Sequence, residues 1–326
     1  MIVNLIGAIY EETTPHQINS YNPVVTYFLN RALRDLGVET NLVLYTNIYE
    51  HDPPPCDHTL VIVGSAFMNF DIMRAEQRSH VFGTKEKRER AKAFCNRIYN
   101  STRDKTTLLI DSNFSYWDRY FDIVFTVATP TFPLDPTSEA FLKRYGSKSK
   151  SKPWLYPEKY IYAGWGADPE YCYPDKNEQK TIFVDGYEAS AKYYNPCKKW
   201  YVIIDHVLKS LTDAKTHRIY DYSDGKRHPW TTFQRMLRES HFYIDPQLGA
   251  TGLTRIEAAT CGCLIVSAKE MYGAWALDPL ETACWETEEE LREILARETN
   301  PQCIHERARV QTWNKVAKRI IAGLNP

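Results

Sequence analysis

The chain has 326 residues, 43% of them hydrophobic, and a formal net charge of −1 at pH 7. This length suits two domains with packed cores, and the near-zero charge excludes a strong global field that attracts polyanions. The eight cysteines contain no CxxC pair, which favours reduced thiols over a zinc site, with a disulfide as the alternative. The first apolar run is too short for a signal peptide and no run reaches the length of a membrane span, so we expect a cytoplasmic protein.

The first half of the chain alternates predicted strands and helices. An apolar strand over 1–10 leads through the loop 11–22 to a helix with apolar residues at helical spacing, which Gly37 ends. Further strands are predicted at 40–45, 59–63, 106–110 and 121–127, and a charged helix at 85–99. This opening is typical of a Rossmann-like half, but it lacks GxGxxG and therefore predicts no dinucleotide there.

Three polar side chains in this half are candidates for catalysis. Asp111 follows the predicted strand 106–110, and the C-terminal ends of parallel strands face the ligand crevice of an open sheet. A carboxylate there could act as the base for a hydroxyl acceptor, and the alternative is a loop or cap aspartate. Glu11 and His16 lie in the loop 11–22 and are candidates for proton transfer, although a single loop histidine is more often only solvated.

The second half repeats the alternation. Strands are predicted at 180–184, 217–222, 241–245 and 263–267, and helices at 200–211, 230–239, 254–260, 287–297 and 310–324. Between 245 and 254 lies a tight loop of small residues, a composition that lets backbone N–H groups approach an anion. Thr254 is the predicted helix cap, and we expect Arg255 and Glu257 in the first turn.

These residue types suit a nucleotide. Arg255 could bind a phosphate as a fork, and the carboxylate of Glu257 could accept hydrogen bonds from ribose hydroxyls. The alternative is an ordinary βαβ unit in which Glu257 is a favourable first-turn carboxylate.

The run GLTRIEAATCGCLIVS, at 252–267, resembles the donor-site signature of the GT-B glycosyltransferases, typified by the glycogen-synthase and sucrose-synthase-like enzymes. The resemblance implies an α/β fold with two Rossmann-like domains whose parallel sheets face a central cleft. It implies that Glu257 binds the ribose of a nucleotide sugar and that the loop and helix start, with Gly252, Leu253, Thr254 and Arg255, hold its diphosphate. It also implies basic residues after the first strand of the second domain, for which Lys192, Lys198 and Lys199 are the candidates.

One position departs from that family. Its retaining members carry two glutamates separated by seven residues, and the first of the pair falls at Gly249 here. The stereochemical outcome of a transfer reaction is therefore open.

A second segment also resembles the family. The run from Lys159 to Pro174 has a strand, Gly-x-Asp and a following proline, as at the end of the N-terminal domain of GT-B enzymes. The resulting domains are 1–174 on the acceptor side, 175–309 for the nucleotide sugar, and a closing helix at 310–326 that packs back on the first domain. The resemblance places the acceptor side at the loop 11–22.

The resulting expectation is a metal-independent glycosyltransferase that moves a sugar from a nucleotide diphosphate sugar, with a UDP-sugar as first candidate, to a hydroxyl acceptor. The acceptor is a glycan, a small molecule or, as in phage DNA glucosyltransferases, a hydroxymethylated base in DNA. The basic segments at 85–92 and 143–152 suit DNA backbone contacts, whereas the neutral net charge argues against a strong non-specific binder. Two further alternatives are a sugar-nucleotide epimerase and a non-catalytic nucleotide-binding module, which the missing glutamate at Gly249 keeps open.

Overall fold

The structure is a computed structural model. It describes residues 1–7, 9, 11–18, 21–63, 85–110, 121–126, 159–185, 198–218, 220–221, 226–245, 253–269 and 282–325. The chain divides into two compact units, one formed by Met1–Gly164 with Trp313–Pro326 and the other by Trp165–Thr312. The division lies between Gly164 and Trp165, earlier in the chain than the boundary after residue 174 that we expected from the sequence.

The described part of the first unit contains a parallel sheet. Its strands are β1 (Ile2–Gly7), β2 (Glu39–Leu44), β3 (Cys56–Val63), β4 (Thr102–Ile110), β5 (Ile123–Thr126) and β6 (Tyr160–Tyr162). They lie in the order β2-β1-β3-β4-β5-β6, and every neighbouring pair is parallel. Because the order reverses between β1 and β3, the carboxyl ends of these two strands flank a topological switch point, where ligands bind in open α/β sheets.

The helices of this unit bury apolar residues that recur at helical spacing along the sequence. They are α1 (Tyr21–Asp35), α2 (Lys85–Ser101) and α8 (Trp313–Leu324). Val25, Leu29 and Leu33 of α1 are fully buried, and Gly37, at φ +78°, lies just beyond the end of the helix. The closing helix α8 packs against α1, where Phe28 and Trp313 stack with ring centroids 6.3 Å apart.

The second unit has its own parallel sheet. Its strands are β7 (Thr181–Val184), β8 (Lys215–Arg218), β11 (Phe242–Asp245), β12 (Leu264–Ala268) and β13 (Thr282–Trp285), and a separate antiparallel ribbon consists of β9 (Tyr220–Asp221) and β10 (Lys226–Arg227). The order β13-β12-β11-β7-β8 is parallel throughout. Its switch point lies between β7 and β11, so the carboxyl ends of these two strands, at Val184 and Asp245, lie at the expected ligand side.

Helices cover this sheet. They are α3 (Lys198–Ser210), α4 (Trp230–Glu239), α5 (Leu253–Thr260), α6 (Glu288–Ala296) and α7 (Pro301–Ala308). The core between them and the strands is apolar and includes Ile182, Phe242 and Trp285. We did not predict β13 or α7 from the sequence. Asn300 before Pro301 was a usable signal, since its Oδ1 accepts from Cys303 N at 3.0 Å as an N-cap.

Several local predictions were wrong. The strand predicted at 217–222 is divided between β8 and the ribbon, whose second strand β10 follows at Lys226–Arg227. Thr254 is the second residue of α5 rather than its cap, and Glu257 lies beyond the first turn.

None of the helices in the described part of the chain is long and apolar enough to cross a membrane.

Candidate functional site

The predicted nucleotide-binding residues lie on α5, which follows β11 at the switch point of the second sheet. Leu253 is buried, Thr254 is half-buried, and Arg255 and Glu257 are only 7% and 3% exposed. Because Glu257 lies in the second turn, a favourable interaction with the helix dipole, which is limited to the first turn, does not explain it. A buried carboxyl needs hydrogen-bond partners instead.

Those partners come from α4. Trp230 Nε1 donates to Glu257 Oε1 at 3.0 Å, and the indole is fixed edge-to-face against Tyr171, with ring centroids 5.0 Å apart. Burial raises the pKa of the Glu257 carboxyl to about 8, while the hydrogen-bond donors on Trp230 and Gln234 act in the opposite direction. The carboxyl is therefore held by neutral groups, and it can take up or release a proton close to neutral pH.

Gln234 lies one turn after Trp230 on the same face of α4, and two thiols orient its amide. Cys172 Sγ is 3.3 Å and Cys261 Sγ 3.9 Å from Gln234 Oε1. Burial raises the pKa of the Cys172 thiol, which therefore keeps the proton that it donates. Gln234 also lowers the pKa of the Glu257 carboxyl. Gln234 Nε2 makes no hydrogen bond of normal geometry to the described residues.

Gly262 closes α5, as predicted. Its φ is +79°, in the left-handed region that favours glycine. A Cβ at this position would lie 2.6 Å from Pro301 O, so the turn lets α7 approach the end of α5. His305 of α7 continues this contact, with Nδ1 at 2.5 Å from Thr260 O.

Sequence reasoning missed Asp185 at the same switch point. It follows β7 directly, its N–H donates to Ile244 O at 2.8 Å, and its Oδ2 accepts a hydrogen bond from the Tyr243 hydroxyl. Trp230 and Gln234 were also missed. For Gln234 a signal existed, because a glutamine within the apolar stripe of an amphipathic helix is buried and needs a partner.

In the first unit, the loop after β1 carries two of the predicted catalytic residues. Glu11 Oε1 accepts from Arg34 at 2.9 Å, and both side chains are about half exposed. Arg34 is held in turn by Thr40, whose Oγ1 accepts from Nε at 2.7 Å. Glu11 and Arg34 line a surface depression of about 280 Å³ between this loop, α1 and β2. His16 lies in a short 3₁₀ turn, Pro15–Gln17, with its side chain exposed.

Four other predicted residues have little or no structural description. Asp111, Lys192 and Gly252 lie outside the described residues, and Lys198 is known only as the first residue of α3. In the portion of the chain that the structure describes, no three His, Cys, Asp or Glu side chains are grouped so that they could hold a metal ion. The cysteines in that portion are free thiols.

Comparison with known proteins identifies the fold. No protein-family model and no curated protein sequence matches the chain. Among solved structures it is similar to AviGT4, a glycosyltransferase involved in avilamycin A biosynthesis, with a TM-score of 0.51 and 12% identity over 99% of this chain and 96% of that one. It is also similar to a sucrose-phosphate synthase from Thermosynechococcus elongatus, with a TM-score of 0.54 and 12% identity over 98% and 97%. The predicted fold class, α/β with two Rossmann-like domains of parallel strands, is therefore confirmed.

Proposed function

We propose that this chain is a glycosyltransferase that takes its sugar from a nucleotide diphosphate sugar, with a uridine nucleotide as the first candidate. The observation that carries the proposal is Glu257. It lies on the helix that follows β11 at the switch point, and its carboxyl accepts a hydrogen bond from the neutral indole of Trp230. The shared fold supports the proposal, because both similar structures belong to enzymes that transfer or build sugars.

In the proposed site, the carboxylate of Glu257 accepts hydrogen bonds from the ribose hydroxyls. The backbone N–H groups at the start of α5, from Gly252 and Leu253, bind the diphosphate together with Thr254 and Arg255. Lys192 and Lys198 add positive charge from the segment after β7. In a metal-independent reaction these groups stabilise the leaving diphosphate, and positioning of the two substrates supplies much of the rate.

We assign the acceptor to the first unit. The loop after β1 flanks the switch point of that sheet, and the depression beside it is lined by guanidinium, amide, carboxylate and phenol groups. Such a mixed polar lining suits the hydroxyls of a glycan or of a small molecule. Glu11, His16 and Asp111 are the proposed candidates for the base that activates the acceptor hydroxyl.

The test is thermal unfolding with a panel of nucleoside diphosphates and their sugars, covering uridine, guanosine, adenosine and thymidine forms. A ligand at a hundred times its dissociation constant stabilises the folded state by about 2.7 kcal/mol, which raises Tm measurably. We expect one base to give this shift. The absence of a shift with every compound would mean that β11, α5 and β12 form only a packed βαβ unit, and the transferase proposal would be dropped.

A further inference from the structure

The direction in which Glu257 presents its carboxylate is set by another helix. Trp230 and Gln234 are four residues apart on α4, so they project from one face of that helix. Both are almost completely buried. Trp230 donates a hydrogen bond to the Glu257 carboxyl, and Gln234 lowers its pKa. Tyr171 fixes the indole and the Cys172 thiol fixes the amide, so neither α4 side chain can turn away from the carboxylate without losing its own contacts.

This arrangement leaves hydrogen-bonding capacity on Glu257. A carboxylate offers about four lone-pair positions, and Trp230 Nε1 occupies one of them on Oε1. A neutral donor orients the carboxylate and leaves its charge available to a ligand, whereas an arginine would neutralise that charge. In its ionised form, which dominates above the pKa of about 8, this fixed carboxylate makes stronger hydrogen bonds with further hydroxyls than a neutral acceptor does. Such an acceptor selects a ligand whose sugar ring carries two adjacent hydroxyl groups.

We infer that Trp230 and Gln234 are positioning residues that make the second unit select ribonucleotides over nucleotides whose sugar lacks the 2′ and 3′ hydroxyls. The inference rests on the proposed nucleotide site and goes beyond it by naming the residues that confer ribose selectivity. Neither residue is expected to touch the reacting atoms. Their effect is transmitted through the orientation of Glu257.

The test compares the dissociation constants of UDP and 2′,3′-dideoxy-UDP, measured by calorimetry, in the wild-type chain and in two variants. Trp230→Phe keeps an aromatic ring but removes the indole N–H, and Gln234→Met keeps the length but removes the amide. The ratio of the two constants is the readout, because a smaller fraction of correctly folded protein weakens both ligands equally and cancels. We expect the wild type to prefer UDP by at least about tenfold. Trp230→Phe should abolish most of that preference, and Gln234→Met part of it.

The matched control is Trp285→Phe. Trp285 is another buried tryptophan of this unit, and its indole N–H has no hydrogen-bond partner in the described part of the chain. The change therefore removes the same atoms without removing such a bond, and the ratio should stay at the wild-type value. An equal loss of preference in Trp285→Phe, or an unchanged ratio in both α4 variants, would overturn the inference.

Two outcomes in the wild type separate the inference from the proposed function. If the wild-type chain binds neither nucleotide, the uridine donor is wrong, and the proposed function is wrong only if no other base of the thermal-unfolding panel binds. If it binds both with equal affinity, the nucleotide site stands, but the ribose selectivity and the role of α4 are wrong.

Discussion

The two units of this chain hold a glutamate near the switch point of a parallel sheet in opposite ways. Glu11 of the first unit is half exposed and pairs with the guanidinium of Arg34. Glu257 of the second unit is buried and accepts a hydrogen bond from the uncharged indole of Trp230, and the neutral amide of Gln234 lowers its pKa. An exposed ion pair contributes little stability and is screened by salt, whereas a buried carboxyl is coupled strongly to the stability and proton balance of the fold.

This difference indicates that the second unit has the more preorganised site. A carboxyl that folding must remove from water costs free energy, and a protein retains such a group when its position serves binding or catalysis. The predictions below test this contrast, beginning with the largest expected effect.

The first prediction concerns the pH dependence of stability. The pKa of the Glu257 carboxyl is about 8 in the folded protein and 4.5 for an unperturbed glutamate. Between these values the folded state binds a proton that the unfolded state has released, so the free energy of unfolding falls as pH rises. Glu257→Gln removes this titration. We expect the stability of the wild type relative to Glu257→Gln to fall by about 3 kcal/mol between pH 5 and pH 8, as measured by urea unfolding.

The control for this series is Glu293→Gln, which neutralises an exposed glutamate on α6 of the same unit. Its stability should follow the wild type at every pH. A constant difference between wild type and Glu257→Gln across this range would show that the Glu257 pKa is not raised by burial.

The second prediction uses two glycines with nearly the same backbone conformation, one in each unit. Gly37 has φ +78° and Gly262 φ +79°. A Cβ on Gly37 would meet no atom within 4 Å, whereas one on Gly262 would lie 2.6 Å from Pro301 O. Gly37→Ala should cost about 1 kcal/mol, from left-handed strain alone. Gly262→Ala should cost about 3 kcal/mol, because α7 must also move.

Urea unfolding of both variants measures this difference. Because the backbone strain is similar in the two variants, the remaining difference in stability reports the steric contact with Pro301. Equal losses of stability would contradict the close approach of α7 to the end of α5.

The third prediction concerns the exposed pair. Glu11→Gln should lower the free energy of unfolding by less than about 1 kcal/mol, because the pair is half exposed and Arg34 keeps its bonds to Thr40. A much larger loss would show that the first unit also depends on a strongly coupled carboxylate. Once an acceptor is known, an unchanged kcat in this variant would remove Glu11 from the catalytic candidates.

Sequence patterns predicted the elements better than the contacts between them. The bounds of α4 were predicted as 230–239, and Gly37 and Gly262 end their helices as expected, because apolar spacing and glycine at positive φ are local properties. The hydrogen bond from Trp230 to Glu257 joins residues 27 positions apart. It depends on how α4 and α5 pack on the sheet, which helical periodicity does not specify.

The same limit explains the other omissions. Asp185 and Tyr243 come together only through the parallel register of β7 and β11. The short strand β13 lies in a region that is polar in sequence, and its pairing with β12 is a tertiary contact.

The most direct test of the donor-site claim is calorimetric titration of UDP into the wild type, Glu257→Gln and the control Glu293→Gln at pH 9, above the Glu257 pKa of about 8, where the carboxyl is ionised. Glutamine keeps the shape of the side chain and an acceptor for Trp230, but it lacks the charge that strengthens hydrogen bonds from ribose. We predict one UDP bound per wild-type chain, affinity lowered by at least about tenfold in Glu257→Gln, and wild-type affinity in Glu293→Gln. Equal UDP affinity in all three proteins would contradict the assignment of Glu257 and α5 to the nucleotide site.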